Sequence, residues 1–138
     1  MYRDIKVRIT GISTNPDGEK DTTFTEAAGK YAARENGAEI RFTETEDGKK
    51  ILTTVEINPG SIRIRKSGAV ASDMYFAPNN TASLNYMTPY GELSFINKCM
   101  NLSVDFTEEG GCAEVNYDLF TGDDLIAGNF VKITYEFV

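Results

Sequence analysis

The sequence predicts an all-β, antiparallel fold of about eight to ten strands in a single domain spanning residues 1–138. Three observations carry this expectation. Turn signals recur at short intervals: "NPDG" at 15–18, "ENGA" at 35–38, "EDGK" at 46–49, "NPGS" at 58–61, "KSGA" at 66–69, "APNN" at 77–80, "TPYG" at 88–91, "EEGG" at 108–111 and "TGDD" at 121–124. The segments between them are short and rich in Ile, Val, Thr, Phe and Tyr, residues that suit a pleated, half-buried surface. No linker or low-complexity run interrupts the series, and 138 residues suffice for one core without covalent staples.

The strands follow from local pattern. Ile5, Val7 and Ile9 alternate and give the first strand one apolar face. The next segment, "KDTTFTEAAGKYAARENG", contains helix-forming alanines, but Thr22, Thr23, Thr25 and Gly29 weaken a helix and "ENGA" fits a bend, so a long, bent strand is expected. Phe24 and Tyr31 differ in parity, which implies a bulge or an aromatic on the outer side. In the middle of the chain an Asp47-Gly48 loop sets Phe42 opposite Thr53 and Ile40 opposite Val55. A type II turn with Pro59 and Gly60 at its centre sets Ile57 opposite Ile62 and Val55 opposite Ile64. One face then collects Ile40, Phe42, Val55, Ile57, Ile62 and Ile64, and the reverse carries Glu39, Arg41, Glu56, Arg63 and Arg65.

Further along, a two-residue connection at Pro89-Tyr90 pairs Tyr86 with Leu93 and Leu84 with Phe95 on a common buried face. A phase change between Phe95 and Leu102 marks a bulge or a strand break. A bend centred on Glu109 and Gly110 places Val104 opposite Val115 and Leu102 opposite Tyr117, and the last strand aligns Val131, Ile133, Tyr135 and Phe137. Sequential antiparallel neighbours in this number favour closure into a lipocalin-like, calycin-type up-and-down barrel over a sandwich, because closure removes exposed edges. The alternation itself is common to both.

Composition narrows the chemistry. With 21 acidic against 14 basic residues the chain carries a formal charge of -7, a field that repels phosphate backbones, so no nucleic-acid partner is expected. No apolar run approaches the ~20 residues that cross a bilayer, and "MYRDIKVRIT" is too charged for a secretory signal; no membrane partner and a cytoplasmic location are expected. The absence of histidine removes Ser-His and Cys-His catalysis and imidazole metal ligation. Cys99 and Cys112 fall out of register for a bridge and are expected reduced. No phosphate loop or dinucleotide fingerprint implies a cofactor, and Asp123-Asp124 and Glu44/Glu46/Asp47 read as solvated acidic turns rather than a metal site.

The candidate ligand-binding residues are Glu26, Arg63, Arg65, Tyr86, Tyr117 and Tyr135. The tyrosines fall on inward faces, where they offer apolar surface and a phenolic handle. Arg63 and Arg65, with Ser67 nearby, suit an anionic group if their side of the strand faces a cavity, and solubilise the strand if it faces out. Glu26 balances Arg65 or orients a ligand if its strand turns it inward. The expected function is a non-enzymatic module binding a small, partly apolar, anionic ligand. The alternative is a protein–protein interaction or structural module, for which an outer patch of Leu52, Val70, Met87, Ile96 and Phe130 offers a homodimer surface. An enzyme using Glu26, Glu92 or Asp118 with a tyrosine ranks below both, because no spacing brings two carboxylates together.

"IRIRKSGAV", "NYMTPYGEL", "VNYDL" and the final "VKITYEF" together resemble the YwiB-like family of bacterial domains of unknown function over nearly the full length. The resemblance rests on Arg65, Ser67, Gly68, Ala69, Val70, Tyr86, Gly91, Glu92, Leu93, Tyr117 and Asp118. It implies a small lipocalin-like β-barrel and brings no established reaction or catalytic residue with it.

Overall fold

The computed structural model describes residues 2–138, with the side chains of Tyr86 and Thr88 outside that description. Its strands are β1 (Tyr2–Thr14), β2 (Lys20–Ala33), β3 (Ala38–Glu46), β4 (Lys49–Asn58), β5 (Ser61–Gly68), β6 (Ser72–Phe76), β7 (Thr81–Thr88), β8 (Gly91–Phe106), β9 (Gly110–Thr121) and β10 (Asp124–Phe137). They form one ten-stranded sheet in the order β6-β5-β4-β3-β2-β1-β10-β9-β8-β7, each pair antiparallel. Among the described residues the two ends of the sheet meet through one bridge, from Ala71 just before β6 to Met87 of β7, in which the two N–H groups donate at 3.1 and 2.8 Å. Asn79 and Asn80 tie the opposite end of that seam to Cys99 at 3.2 and 2.9 Å. The result is a nearly closed barrel.

Alternation explains the interior. Ile5, Val7, Ile40, Phe42, Val55, Ile57, Ile62, Phe76, Val115 and Ile133 are buried in one cluster. Each contributes on the order of 1.5–3 kcal/mol by leaving water. The segment from Lys20 to Ala33 is a strand, as its threonines predict, and Phe24 is the outer-side aromatic. Asp47 (φ 52°) and Gly48 (φ 76°) both take the left-handed conformation of a type I′ hairpin turn, and every predicted pairing between β3, β4 and β5 is present. The turn at Pro59-Gly60 differs in type, since Gly60 lacks the positive φ that a type II turn requires, yet its register is as predicted.

Two expectations are corrected. Leu102 pairs with Val115 and Val104 with Ala113, a shift of two residues that preserves the face. The bend is centred on Glu108 and Glu109, closed by the Thr107 N–H donating to Gly110 O at 2.9 Å. Gly110 belongs to the strand rather than the turn: a Cβ there would lie 1.9 Å from Tyr135 O, so only glycine lets β9 approach β10. Leu93 pairs with Tyr86 as expected but is 50% exposed, because it sits close to the Pro89-Tyr90 turn at the barrel rim. The predicted phase change is a bulge that skips Met100 between Cys99 and Asn101.

One junction is incomplete. β2 pairs with β1 from Lys20 to Ala32, and β3 pairs with β4 out to Glu46, but β2 and β3 pair only through Gly29–Ala33 against Ala38–Phe42. Gly29 stands at the fork, where a Cβ would meet Arg41 O at 2.7 Å.

Replacing a fully buried wall residue tests this packing. Ile40→Ala is expected to lower stability by about 2–5 kcal/mol, and Leu52→Thr on the exposed face to change it by no more than about 0.5 kcal/mol, measured by urea unfolding.

Candidate functional site

Where β2 and β3 part, a cavity of about 1000 Å³ opens to solvent. Thr23–Ala28 and Thr43–Glu46 border its mouth, and Phe42, Val55, Ile64, Met74, Phe76 and Tyr117 form its deeper wall. Three of its polar side chains, Glu44, Thr53 and Lys66, contact one another. Continuing the inward rows by two residues, from Phe42 to Glu44, from Val55 to Thr53 and from Ile64 to Lys66, places all three on the inner face. The Thr53 hydroxyl donates to Glu44 Oε2 at 3.3 Å, and Lys66 Nζ lies 3.6 Å from the same oxygen. Thr53 is buried, while Glu44 and Lys66 keep partial contact with solvent. Mutual pairing offsets part of the cost of placing a carboxylate and an ammonium beside apolar neighbours.

A second cavity of about 520 Å³ lies at the other end of the barrel, bordered by Arg3, Tyr31, Glu35–Gly37, Phe106–Glu108, Tyr135 and Phe137. Tyr31 and Tyr135 stack with ring centres 5.6 Å apart, and the Arg3 guanidinium sits 3.7 Å from the centre of the Phe137 ring. Burial pushes the Tyr135 hydroxyl up to about 12, with a further contribution from Tyr31.

The residues expected to share a site are separated. Tyr117 lines the larger cavity and packs on Phe76 at 4.7 Å between ring centres. Tyr135 belongs to the smaller cavity, so the two tyrosines do not converge. The Tyr86 side chain lies outside the described residues. Glu26 is in the strand at the cavity mouth, but its carboxylate turns to the outer face, where Arg8 Nε donates to it at 2.9 Å and Lys6 Nζ lies at 3.3 Å. The Arg8 hydrogen bond, then that of Lys6, holds its pKa below the usual range. Arg63 and Arg65 also lie on the outer face. Arg63 grips Asp73 with two hydrogen bonds, 2.8 and 2.6 Å, and Arg65 pairs with Glu56. The cross-strand partners explain this: Arg63 and Arg65 share parity with Glu56 and Asp73, opposite to Ile62 and Ile64.

The polar trio was readable from parity, yet Glu44 reads as part of an acidic turn and Lys66 as an appendage to the arginines when the inward rows are stopped at their last apolar residue. Ser72 Oγ and both polar atoms of the Asn97 side chain are buried without hydrogen-bond partners. Sequence offered no signal for them beyond Asn97 sharing parity with Phe95 and Cys99. Cys99 and Cys112 are free thiols, and burial raises the pKa of each, which opposes thiolate chemistry. Among the described residues no group of three or more Cys, Asp or Glu side chains is arranged to hold a metal, and no helix is long and apolar enough to cross a membrane. Of the outer-patch candidates, Val70 adjoins the Ala71–Met87 bridge, whereas Phe130 pairs with Ile12 and Asn116 elsewhere in the barrel wall.

A family model described as "Domain of unknown function (DUF1934)" matches residues 7–133. The chain is similar to the "Uncharacterized beta-barrel protein YwiB" of Bacillus subtilis (strain 168), at 27% identity over 120 residues, covering 87% of this chain and 84% of the relative. The crystal structure of the ywiB protein from Bacillus subtilis superposes with a TM-score of 0.87 at 23% identity, over 99% of this chain and 93% of that one. The resemblance noted in the sequence and the barrel fold are thereby both supported.

The Tyr135 environment predicts alkaline sensitivity. Its folded pKa lies above the unfolded value of about 10, so the associated stability is fully present below pH 10 and is lost as pH rises toward 12. Tyr135→Phe is expected to flatten the fall in melting temperature across that window. Equal falls in both proteins would show that another group is responsible.

Proposed function

The chain belongs to the DUF1934 family of domains of unknown function, and from that premise we propose a non-enzymatic binding module, a lipocalin-like, calycin-type barrel that receives a small, partly apolar ligand between β2 and β3. The observation that carries this reading is the solvent-connected cavity of about 1000 Å³, whose apolar wall is broken by Glu44, Thr53 and Lys66. Apolar contact supplies affinity, and a few placed polar groups fix orientation. The interior ion pair is the polar handle, since Arg63 and Arg65 are engaged outside. Lys66 is the one cation in the lining and is engaged by Glu44, while Glu46 adds a second carboxylate to the same lining, so the balance favours a neutral or cationic polar end over an anionic one. Two free thiols support a reducing, cytoplasmic setting.

An uncharged, environment-sensitive naphthylamine dye tests the reading. Saturable fluorescence enhancement is expected, and Ala27→Phe, which extends a ring into the cavity, should weaken dye binding at least ~10-fold while the variant still unfolds cooperatively. Should Ala27→Phe fail to fold, Thr25→Leu serves as the second probe of the same wall. Unchanged dye affinity in a folded variant would remove the cavity from consideration.

A further inference from the structure

We propose that the ligand is a short extended peptide that inserts between β2 and β3 as an additional strand. This inference rests on the binding reading above and names its ligand class. Lys20–Ala28 of β2 pair only with β1, and Thr43–Glu46 of β3 pair only with β4. Each segment therefore directs a row of backbone N–H and C=O groups toward the gap, and both segments border the same cavity. Exposed edges of this kind are normally blunted by charged side chains, proline, bulges or covering elements, and the charges of the open part of β2, Lys20, Asp21 and Glu26, flank an uncharged run of four residues between them. Here β2 runs unbroken against β1, contains no proline, and carries Thr22, Thr23, Phe24 and Thr25 along its open length, with Phe24 63% exposed.

An inserted strand directs alternate backbone groups left and right, so it bonds both edges at once, as in β-strand addition. The shorter edge, Thr43–Glu46, sets the length at about four residues. Alternate side chains of the insert enter the cavity. Beyond the Gly29–Phe42 pair the first inward neighbours are Ala27 and Glu44, with Phe42, Ile9, Val131 and Ile133 in the same lining, which suits an apolar residue. Two residues further on the inward positions are Thr25 and Glu46. Glu44 already holds Lys66, and Glu46 joins no ion pair among the described residues, which suits a basic residue. The preferred peptide thus carries an apolar side chain and, two positions along, a basic one. A compact apolar molecule would fill the cavity but leave both edges unpaired.

Calorimetric titration with end-blocked pentapeptides tests this directly. The parent peptide places one phenylalanine and one lysine at alternate positions in a threonine background. It is expected to bind saturably and displace the naphthylamine dye. N-methylation removes amide donors from one side of the strand at a time, and either pattern should cost at least ~10-fold in affinity, since each removes bonds to one edge. Glu46→Lys should weaken the lysine peptide and strengthen its glutamate counterpart. N-methylated peptides binding within about twofold of the parent would overturn strand insertion. Dye binding without peptide binding would overturn the peptide inference and leave the cavity reading standing; failure of both ligands would overturn both.

Discussion

The pairing of β2 with β3 stops at Gly29 and Phe42, and the character of the molecule follows from that stop. On one side of the fork lie five residue pairs that hold a six-stranded sheet, β2-β1-β10-β9-β8-β7, to a four-stranded sheet, β3-β4-β5-β6. On the other side the two sheets diverge, and the wall opens onto the interior. The second seam, between β6 and β7, is held by one bridge and by the Asn79 and Asn80 contacts with Cys99. The barrel is thus two curled sheets joined at two limited contacts. Gly29 makes the first contact tight, because any side chain there would press on the Arg41 carbonyl.

The same rows of side chains serve as core and as site. Ile57, Val55, Thr53 and Ile51 lie on one face of β4, and Ile40, Phe42 and Glu44 continue it on β3. The buried cluster ends where the strands separate, and the polar trio begins there. A strand that alternates strictly must place whatever residue follows onto the inner wall, apolar or not. That is how a lysine and a glutamate come to face each other inside a small barrel, each lowering the cost of the other's burial.

Most of the architecture was legible because hairpin turns and alternation specify each other. Asp47-Gly48 fixed the β3–β4 register through two positive φ angles, and the Pro59-Gly60 bend fixed β4–β5 even though its turn type differed. Gly110 misled the β8–β9 register because glycine has two uses, a turn conformation and close backbone approach, and Tyr135 required the second. The site was less legible for a different reason. Arg63 and Arg65 share the parity of acidic neighbours across the sheet, so they were drawn outward to Asp73 and Glu56, as Glu26 was to Arg8. Tyr117 and Tyr135 occupy inward positions as expected but stand at different heights along the barrel, and parity carries no information about height. The incomplete β2–β3 junction left no local trace, since both strands are well paired on their other edges.

The open junction is the feature on which the cavity, the ligand reading and the inserted-strand inference all depend. Residue-resolved amide hydrogen exchange of the unliganded protein, followed by NMR, measures it most directly. The structure predicts slow exchange throughout Gly29–Ala33, and rapid exchange at every second amide between Lys20 and Ala28, where N–H groups face the gap. Uniform protection along the whole of β2 would mean that the two sheets are zipped together beyond Gly29, and would contradict this account.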